Sequence, residues 1–222
     1  MKIINVDVAR TSWLFPFQEI NPAGRSFTQA FIELKTRYKF KKAPTHTLDF
    51  DTEAKGLIFD QGEFVNRDGI SIIAKLSIFT DGIVSDTWSS TRDSEDLLED
   101  VMKWVKTEHG FSLPTDRMVR KLYLSSLTVT TEKGQIPGRS KLEALAEMVS
   151  MRLTETGRTN KGYIINGFSL SSADWDQPGA PVPYRFEIKT ASHPGENRYY
   201  ASAPLPTNVH ITLLEEQERL FG

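Results

Sequence analysis

Glu187 and Lys189 are the residues of this chain best suited by type and spacing to do chemistry. They stand two positions apart in an apolar run, Phe186-Glu187-Ile188-Lys189. Side chains two apart on a β-strand share a face, so this carboxylate and this ammonium would project together. An acidic residue on a neighbouring strand would complete a magnesium site, where the metal would activate a water against a phosphate ester.

The stretch around this pair resembles the PD-(D/E)xK nuclease pattern. Under that resemblance, Asp174 or Asp176 is the upstream acid, and Glu143 or Glu147 contributes from the preceding helix. The resemblance covers this stretch alone and implies a metal-dependent nuclease. Charge pairing between strands on a wet sheet face explains the same glutamate and lysine without catalysis, so both interpretations stay open.

Other catalytic and cofactor motifs are missing from the sequence. The chain has no cysteine and four histidines, which excludes thiolate nucleophiles, iron–sulfur clusters and the usual structural zinc sites. It contains neither Gly-x-Gly-x-x-Gly nor a Walker A motif, and 167–171 lacks the second glycine of the serine hydrolase motif. We therefore predict no cofactor.

The nearest approach to a metal-ligand pattern is in the stretch 46–53. It contains His46, Asp49, Asp51 and Glu53, and its three acids would line one side of an extended segment. Because nothing in the pattern sets a ligand count, we interpret it as a solvated acidic loop and predict no metal site.

A cluster of cations ends the first predicted helix. Its members are Lys35, Arg37, Lys39, Lys41 and Lys42, with Tyr38 and Phe40 between them. Such a cluster can bind phosphate or an acidic protein surface. Cations are also favourable at a helix C-terminus without any ligand. We treat the five as candidate partner-binding residues, with nucleic acid as one possible partner.

Composition predicts a folded protein of the cytoplasm. The chain has 222 residues, 39% hydrophobic and 25% charged, with a net charge of −2. That length and balance support a packed core. The sequence shows no secretory signal and no apolar run long enough to span a membrane, and the lack of cysteine is typical of a reducing compartment.

Turn signals and hydrophobic periodicity predict an α+β protein with a mixed or mainly antiparallel sheet, built from hairpins and packed by three to four helices. Predicted helices cover 27–41, a segment after 91 that Asp93 or Ser94 caps and Gly110 ends, a segment from a capping box at Ser140 to Gly157 with Leu142, Leu145, Val149 and Leu153 on one face, and 209–221. Asp68-Gly69 and Asp81-Gly82 predict the hairpin turns of a three-stranded antiparallel meander. Predicted strands cover 2–8, 57–65, 70–79, 83–88, 121–131, 162–170, 184–191 and 199–202. No internal repeat stands out. A single domain, 1–222, is predicted, with its weakest seam at 131–139.

Clear structural signals without catalytic motifs favour a non-enzymatic function. We predict an interaction or assembly component of a larger complex, acting through a protein partner or through self-association. A metal-dependent nuclease and a nucleic-acid-binding subunit without catalysis are the alternatives.

Overall fold

The computed structural model describes residues 1–44, 56–115, 118–131, 139–156, 162–177, 179–189 and 197–221. Within these ranges four α-helices accompany an antiparallel sheet of eight strands. This confirms the predicted α+β fold class. The acidic stretch 46–53, and all but the two end residues of the predicted seam 131–139, lie outside the described residues.

The helices and strands follow the predicted order, with shifted boundaries. The strands are β1 (Lys2–Leu14), β2 (Leu57–Val65), β3 (Ser71–Phe79), β4 (Gly82–Thr87), β5 (Arg120–Thr130), β6 (Gly167–Leu170), β7 (Tyr184–Ile188) and β8 (Arg198–Ala203). The helices are α1 (Thr28–Arg37), α2 (Thr91–His109), α3 (Arg139–Glu155) and α4 (Thr207–Phe221), and a 3₁₀ turn covers Phe17–Glu19.

The order of elements repeats, although no repeat is evident in the sequence. The series strand, helix, three strands, helix runs from β1 to α2 and again from β5 to α4. The strand order is β2-β3-β4-β1-β5-β8-β7-β6, so β2 and β6 are the outer strands. By position in the series, α1 corresponds to α3 and β2 corresponds to β6.

The chain divides into two compact units. Unit A comprises Val6–Ser126 with Pro204–His210, and unit B comprises Met1–Asn5, Leu127–Ala203 and Ile211–Gly222. The chain passes from one unit to the other after Asn5, Ser126, Ala203 and His210. Whether the chain is one domain stays a prediction.

Unit A has a large aromatic and aliphatic core. Its buried side chains come from α1, α2 and strands β1 to β4, and include Leu34, Phe59, Leu76, Leu97 and Trp104. Strand β2 pairs with β3, and β3 pairs with β4, and both pairs are antiparallel. Both predicted hairpin turns are therefore present. Asp-Gly turns are reliable signals of this kind because glycine accepts the positive φ that tight turns need.

Two helix ends in unit A differ from the sequence prediction. The N-cap of α2 is Ser90, whose Oγ accepts a hydrogen bond from the Asp93 backbone N–H at 3.1 Å, so the predicted caps Asp93 and Ser94 lie inside the helix. Helix α1 ends at Arg37, short of the predicted 41, because Lys39 adopts a left-handed φ of 50° that turns the chain. The predicted end of α2 at Gly110 is confirmed.

Unit B has a smaller core on one face of its strands. Leu127, Phe186, Tyr199, Ala201 and Leu214 are buried there, and the rings of Phe186 and Tyr199 stack with centroids 4.6 Å apart. The hydroxyl of Tyr184 donates to the side-chain oxygen of Gln217 on α4. Burial raises the pKa of Tyr184. This face is therefore packed, and the opposite face carries the polar members of the same strands.

Candidate protein-interaction surface

A groove of about 640 Å³ lies in unit B between α3 and the strands β6 and β7. Apolar side chains of the helix and of the segment before β6 form its walls, and strand residues form its floor. The lining residues are Leu142, Leu145, Ala146, Val149, Tyr163, Ile164, Ile165, Asn166, Gly167, Phe168, Ser169, Arg185 and Glu187. Its volume lies in the range of about 300–1,000 Å³ that is usual for ligand pockets.

The floor of the groove carries one charge of each sign. Arg185 and Glu187 stand two apart on β7 and so share a face. In the antiparallel register Ser169 lies opposite Arg185, and Gly167 lies opposite Glu187. Because Gly167 has no side chain, nothing on β6 covers the glutamate from that position.

Ser150 holds the segment before β6 against α3. Its hydroxyl accepts a hydrogen bond from the backbone N–H of Tyr163 at 2.7 Å and donates to the carbonyl of Ala146 at 2.7 Å. The wall formed by residues 163–166 is thereby attached to the helix at its first residue. This side-chain contact links the helix wall of the groove to the wall that precedes β6.

Unit B exposes many large apolar side chains. Nine of them fall between residues 142 and 182: Leu142, Leu145, Met148, Met151, Tyr163, Ile164, Leu170, Trp175 and Val182. Isolated exposed apolar residues are normal on proteins, but four of these, Leu142, Leu145, Tyr163 and Ile164, line the groove together, and a joint apolar surface of this kind is typical of interaction sites. All nine belong to unit B.

The spacing of apolar residues along α3 explains why this helix stays exposed. Leu142, Leu145, Met148 and Met151 follow one another at three-residue steps, and each step turns about 300° around a helix. The four residues therefore spread around about half of its circumference, so that one packing face cannot bury them all. The sequence pattern predicts Leu142, Leu145, Val149 and Leu153 on one face of this helix; the two leucines 142 and 145 are exposed, and Val149 and Leu153 are half-buried.

The sequence pattern does not indicate the groove, nor the exposure of Met148 and Met151. The signal was present in the three-residue spacing, since a helix buried on one side needs steps that alternate between three and four. Among the described side chains of α3, no large apolar one is fully buried.

The structure does not gather the nuclease candidates into one described site. Glu187 lies in the groove floor, but Lys189 Nζ donates to Thr128 Oγ1 at 2.6 Å. Asp174 and Asp176 are exposed on the turn after β6. In the described part of the chain, no three acidic or histidine side chains are placed to hold a metal ion.

The other two acids proposed from the nuclease resemblance, Glu143 and Glu147, are exposed on α3 and are not among the residues that line the groove. Glu187 is thus the single nuclease candidate that contributes to it.

Two of the five cations at the end of α1 make ion pairs within unit A. Arg37 Nη2 lies 3.0 Å from Asp100 Oδ2, and Lys39 Nζ lies 2.8 Å from Glu63 Oε2. The remaining three, Lys35, Lys41 and Lys42, are exposed.

The two aromatic side chains between these cations point inward. Tyr38 and Phe40 are buried, and the Tyr38 hydroxyl donates to Asp100 Oδ2 at 2.6 Å. Burial, followed by this hydrogen bond, raises the pKa of Tyr38. The rings therefore belong to the core and present no stacking surface to a base.

No protein-family model matches the chain, and no curated protein matches it. Among the described helices, none combines the length and the apolar character needed to cross a membrane.

Proposed function

We propose that this protein is a non-enzymatic component that works through protein–protein association, as a partner in a complex or as a self-associating subunit. Its contact surface is the exposed face of α3 together with the adjoining groove of unit B. The observation that carries the proposal is the set of exposed apolar side chains that line the groove together, Leu142, Leu145, Tyr163 and Ile164. The cysteine-free composition favours the cytoplasm as the place of this assembly.

The apolar side chains of α3 contribute to association in proportion to the surface that they still expose. Fully burying one large aliphatic side chain contributes roughly 1.5–3 kcal/mol. Leu142, Leu145, Met148 and Met151 are 42–60% exposed, so covering what remains exposed would contribute roughly 3–6 kcal/mol in total. Association costs an estimated 4–15 kcal/mol in lost freedom, so a stable complex must also cover the apolar residues beside α3.

Charge favours a protein over a nucleic acid as the partner. The groove floor carries Arg185 and Glu187, one charge of each sign, whereas a nucleic-acid channel needs an excess of cations. The chain has a net charge of −2. The ion pairs of Arg37 and Lys39 further reduce the field of the basic cluster.

Solution mass with a matched pair of variants tests the proposal. Met148 on α3 and Ile32 on α1 are exposed to nearly the same extent, 56% and 59%. We expect the wild-type protein to show a concentration-dependent mass by sedimentation velocity, or to retain a partner through purification. Met148→Lys should abolish that association, and Ile32→Lys should leave it unchanged.

A strict monomer that co-purifies with nothing would contradict the proposal. Equal loss of association in Met148→Lys and Ile32→Lys would also contradict it, because the contact would then not be specific to α3.

A further inference from the structure

Helix α3 packs onto unit B with one side. The half-buried residues on that side are Ala146, Val149, Ser150 and Leu153. Each residue of an α-helix turns about 100°, so these four lie within about 100° of the helix circumference. The remaining described side chains of α3 are exposed.

The opposite side of α3 is also apolar. Ala144, Met148 and Met151 lie within about 60° of one another, centred on the side away from the half-buried residues. All three are exposed, and the two methionines are 56% and 60% exposed. We call these three residues the outer stripe.

The outer stripe has the spacing of a helix that pairs with another helix. Its members are separated by four and then three residues, which is the spacing of the d, a and d positions of a heptad. Single exposed apolar residues are ordinary on a protein surface. Three at heptad spacing, on a helix that already packs with its other side, indicate a second helix as the occupant of this side.

Two opposite charges flank the outer stripe, one on each side. With Met148 at position a, Glu147 occupies position g and Arg152 occupies position e. Arg152 Nη1 lies 3.0 Å from Glu155 Oε2, and these side chains are 80% and 62% exposed. Such a surface ion pair contributes little and exchanges readily. In the described part of the chain Glu147 makes no ion pair.

This charge pattern is complementary to a second copy of itself in one orientation. In a parallel helix pair, a residue at g faces a residue at e of the other helix. Glu147 would then face Arg152 of the other copy, and two-fold symmetry would repeat the contact. In an antiparallel pair, g faces g and e faces e, so both contacts would join like charges.

We infer that the protein self-associates as a two-fold dimer in which the α3 helices of two copies pair in parallel through the outer stripe. This rests on the proposed function and names the partner as a second copy of this chain. Met148 and Met151 meet their counterparts at the centre, and Glu147 and Arg152 fix the orientation. Leu145, which lines the groove, stands beside the outer stripe, so the pairing also reaches the apolar edge of the groove.

Charge exchange between two variants tests the pairing. Glu147→Arg leaves arginine at both flanking positions, and Arg152→Glu leaves glutamate at both. Either variant alone should dimerise more weakly than wild type by about tenfold or more, because each contact between copies becomes repulsive. An equimolar mixture should regain the wild-type affinity, because every arginine then faces a glutamate. The double variant should also dimerise.

Sedimentation velocity over a range of concentrations measures these dissociation constants. Glu143→Arg is the matched control, since it makes the same change of charge on α3 about 100° from the centre of the outer stripe. It should leave dimerisation unchanged. Recovery in the mixture shows in addition that both single variants are folded.

A single introduced thiol reads the orientation directly, because the chain contains no cysteine. In the parallel pair Ala144→Cys faces its own counterpart, and mild oxidation should produce a disulfide-linked dimer. An antiparallel pair that crosses at Met148 would separate these thiols by about 12 Å along the axis. The control Glu143→Cys, which lies off the outer stripe, should form little disulfide.

Several results would overturn parallel self-pairing while leaving association through α3 intact. These are single charge variants that dimerise like wild type, a mixture that does not regain affinity, the absence of a disulfide in Ala144→Cys, or a wild-type protein that retains a different protein but does not self-associate. A strict monomer that retains no partner would overturn the proposed function as well.

Discussion

Acid should destabilise this protein in a pH range that is set by His210. The residue lies in the first turn of α4, within unit A, and its side chain is 0% exposed. Burial lowers its pKa from 6.5 to about 4, although a hydrogen bond to the backbone of Ser125 favours the protonated ring and opposes the shift. The folded protein therefore keeps this imidazole neutral where the unfolded chain protonates it.

The sign and size of the effect follow from linkage. Well above pH 6.5 the ring is neutral in both states, so it adds no pH dependence there. As the pH falls from 6.5 to about 4, the unfolded chain binds a proton that the folded protein does not, and the free energy of unfolding decreases. Between pH 7 and pH 5 the decrease from this one group is about 2 kcal/mol, at 1.36 kcal/mol per pKa unit.

Urea unfolding, followed by circular dichroism at half-unit steps from pH 7 to pH 5, measures this decrease. That range lies above the ordinary pKa values of aspartate and glutamate, so carboxylates contribute little. His210→Gln should remove the slope, whatever its stability at pH 7. The control His109→Gln, at the end of α2, should retain the slope that His210 causes. If the free energy of unfolding of the wild-type protein does not change over this pH range, or if His210→Gln shows the same slope, then burial of His210 does not cause the effect.

Three further outcomes are expected. The N–H of Thr91 donates to Thr207 Oγ1 at 3.0 Å, and the N–H of Thr207 donates to Thr91 Oγ1 at 2.9 Å. Replacing either threonine by valine should therefore lower the free energy of unfolding by about 1 kcal/mol, whereas replacing it by serine should retain most of the stability that the bond provides. Phe40→Ala should cost about 3–5 kcal/mol in thermal unfolding, and Gly62→Ala should cost less in that variant than in wild type, because the ring that its Cβ meets is gone. DNA and RNA incubated with magnesium or manganese should show no cleavage that depends on Glu187, and cleavage lost in Glu187→Ala would favour the nuclease alternative.

Local signals in the sequence were sufficient to predict most of the elements. The turns at Asp68-Gly69 and Asp81-Gly82 predict the meander because their chemistry is contained within a few residues. The end of α2 at Gly110 is predicted for the same reason, since glycine there adopts a left-handed φ of 66°. Elements with such signals were placed within a few residues of their observed bounds.

Contacts between distant residues could not be predicted in this way. Lys189 bonds to Thr128, which lies 61 positions away, and no local pattern indicates that pairing. The order of the strands in the sheet could not be predicted either, because it depends on which strands become neighbours.

The candidate protein-interaction surface could not be predicted from the sequence for a related reason. Whether the apolar positions of α3 face inward depends on how closely the helix packs against the strands of unit B. That packing is a tertiary property, which a local sequence pattern does not determine. The sequence indicates the basic cluster around Lys39, because charged residues are recognised by type. It does not show whether the neighbouring Phe40 is buried or exposed, and the structure buries this residue.

Photo-crosslinking from α3 is the most direct test of association through unit B. A benzophenone amino acid placed at Met148, and in a separate protein at Ile32, samples two helix positions of similar exposure. With the purified protein at several concentrations, and with any protein that co-purifies, association through unit B predicts defined crosslinked products from position 148 and few from position 32. Equal products from both positions, or none from position 148 while association persists, would contradict it.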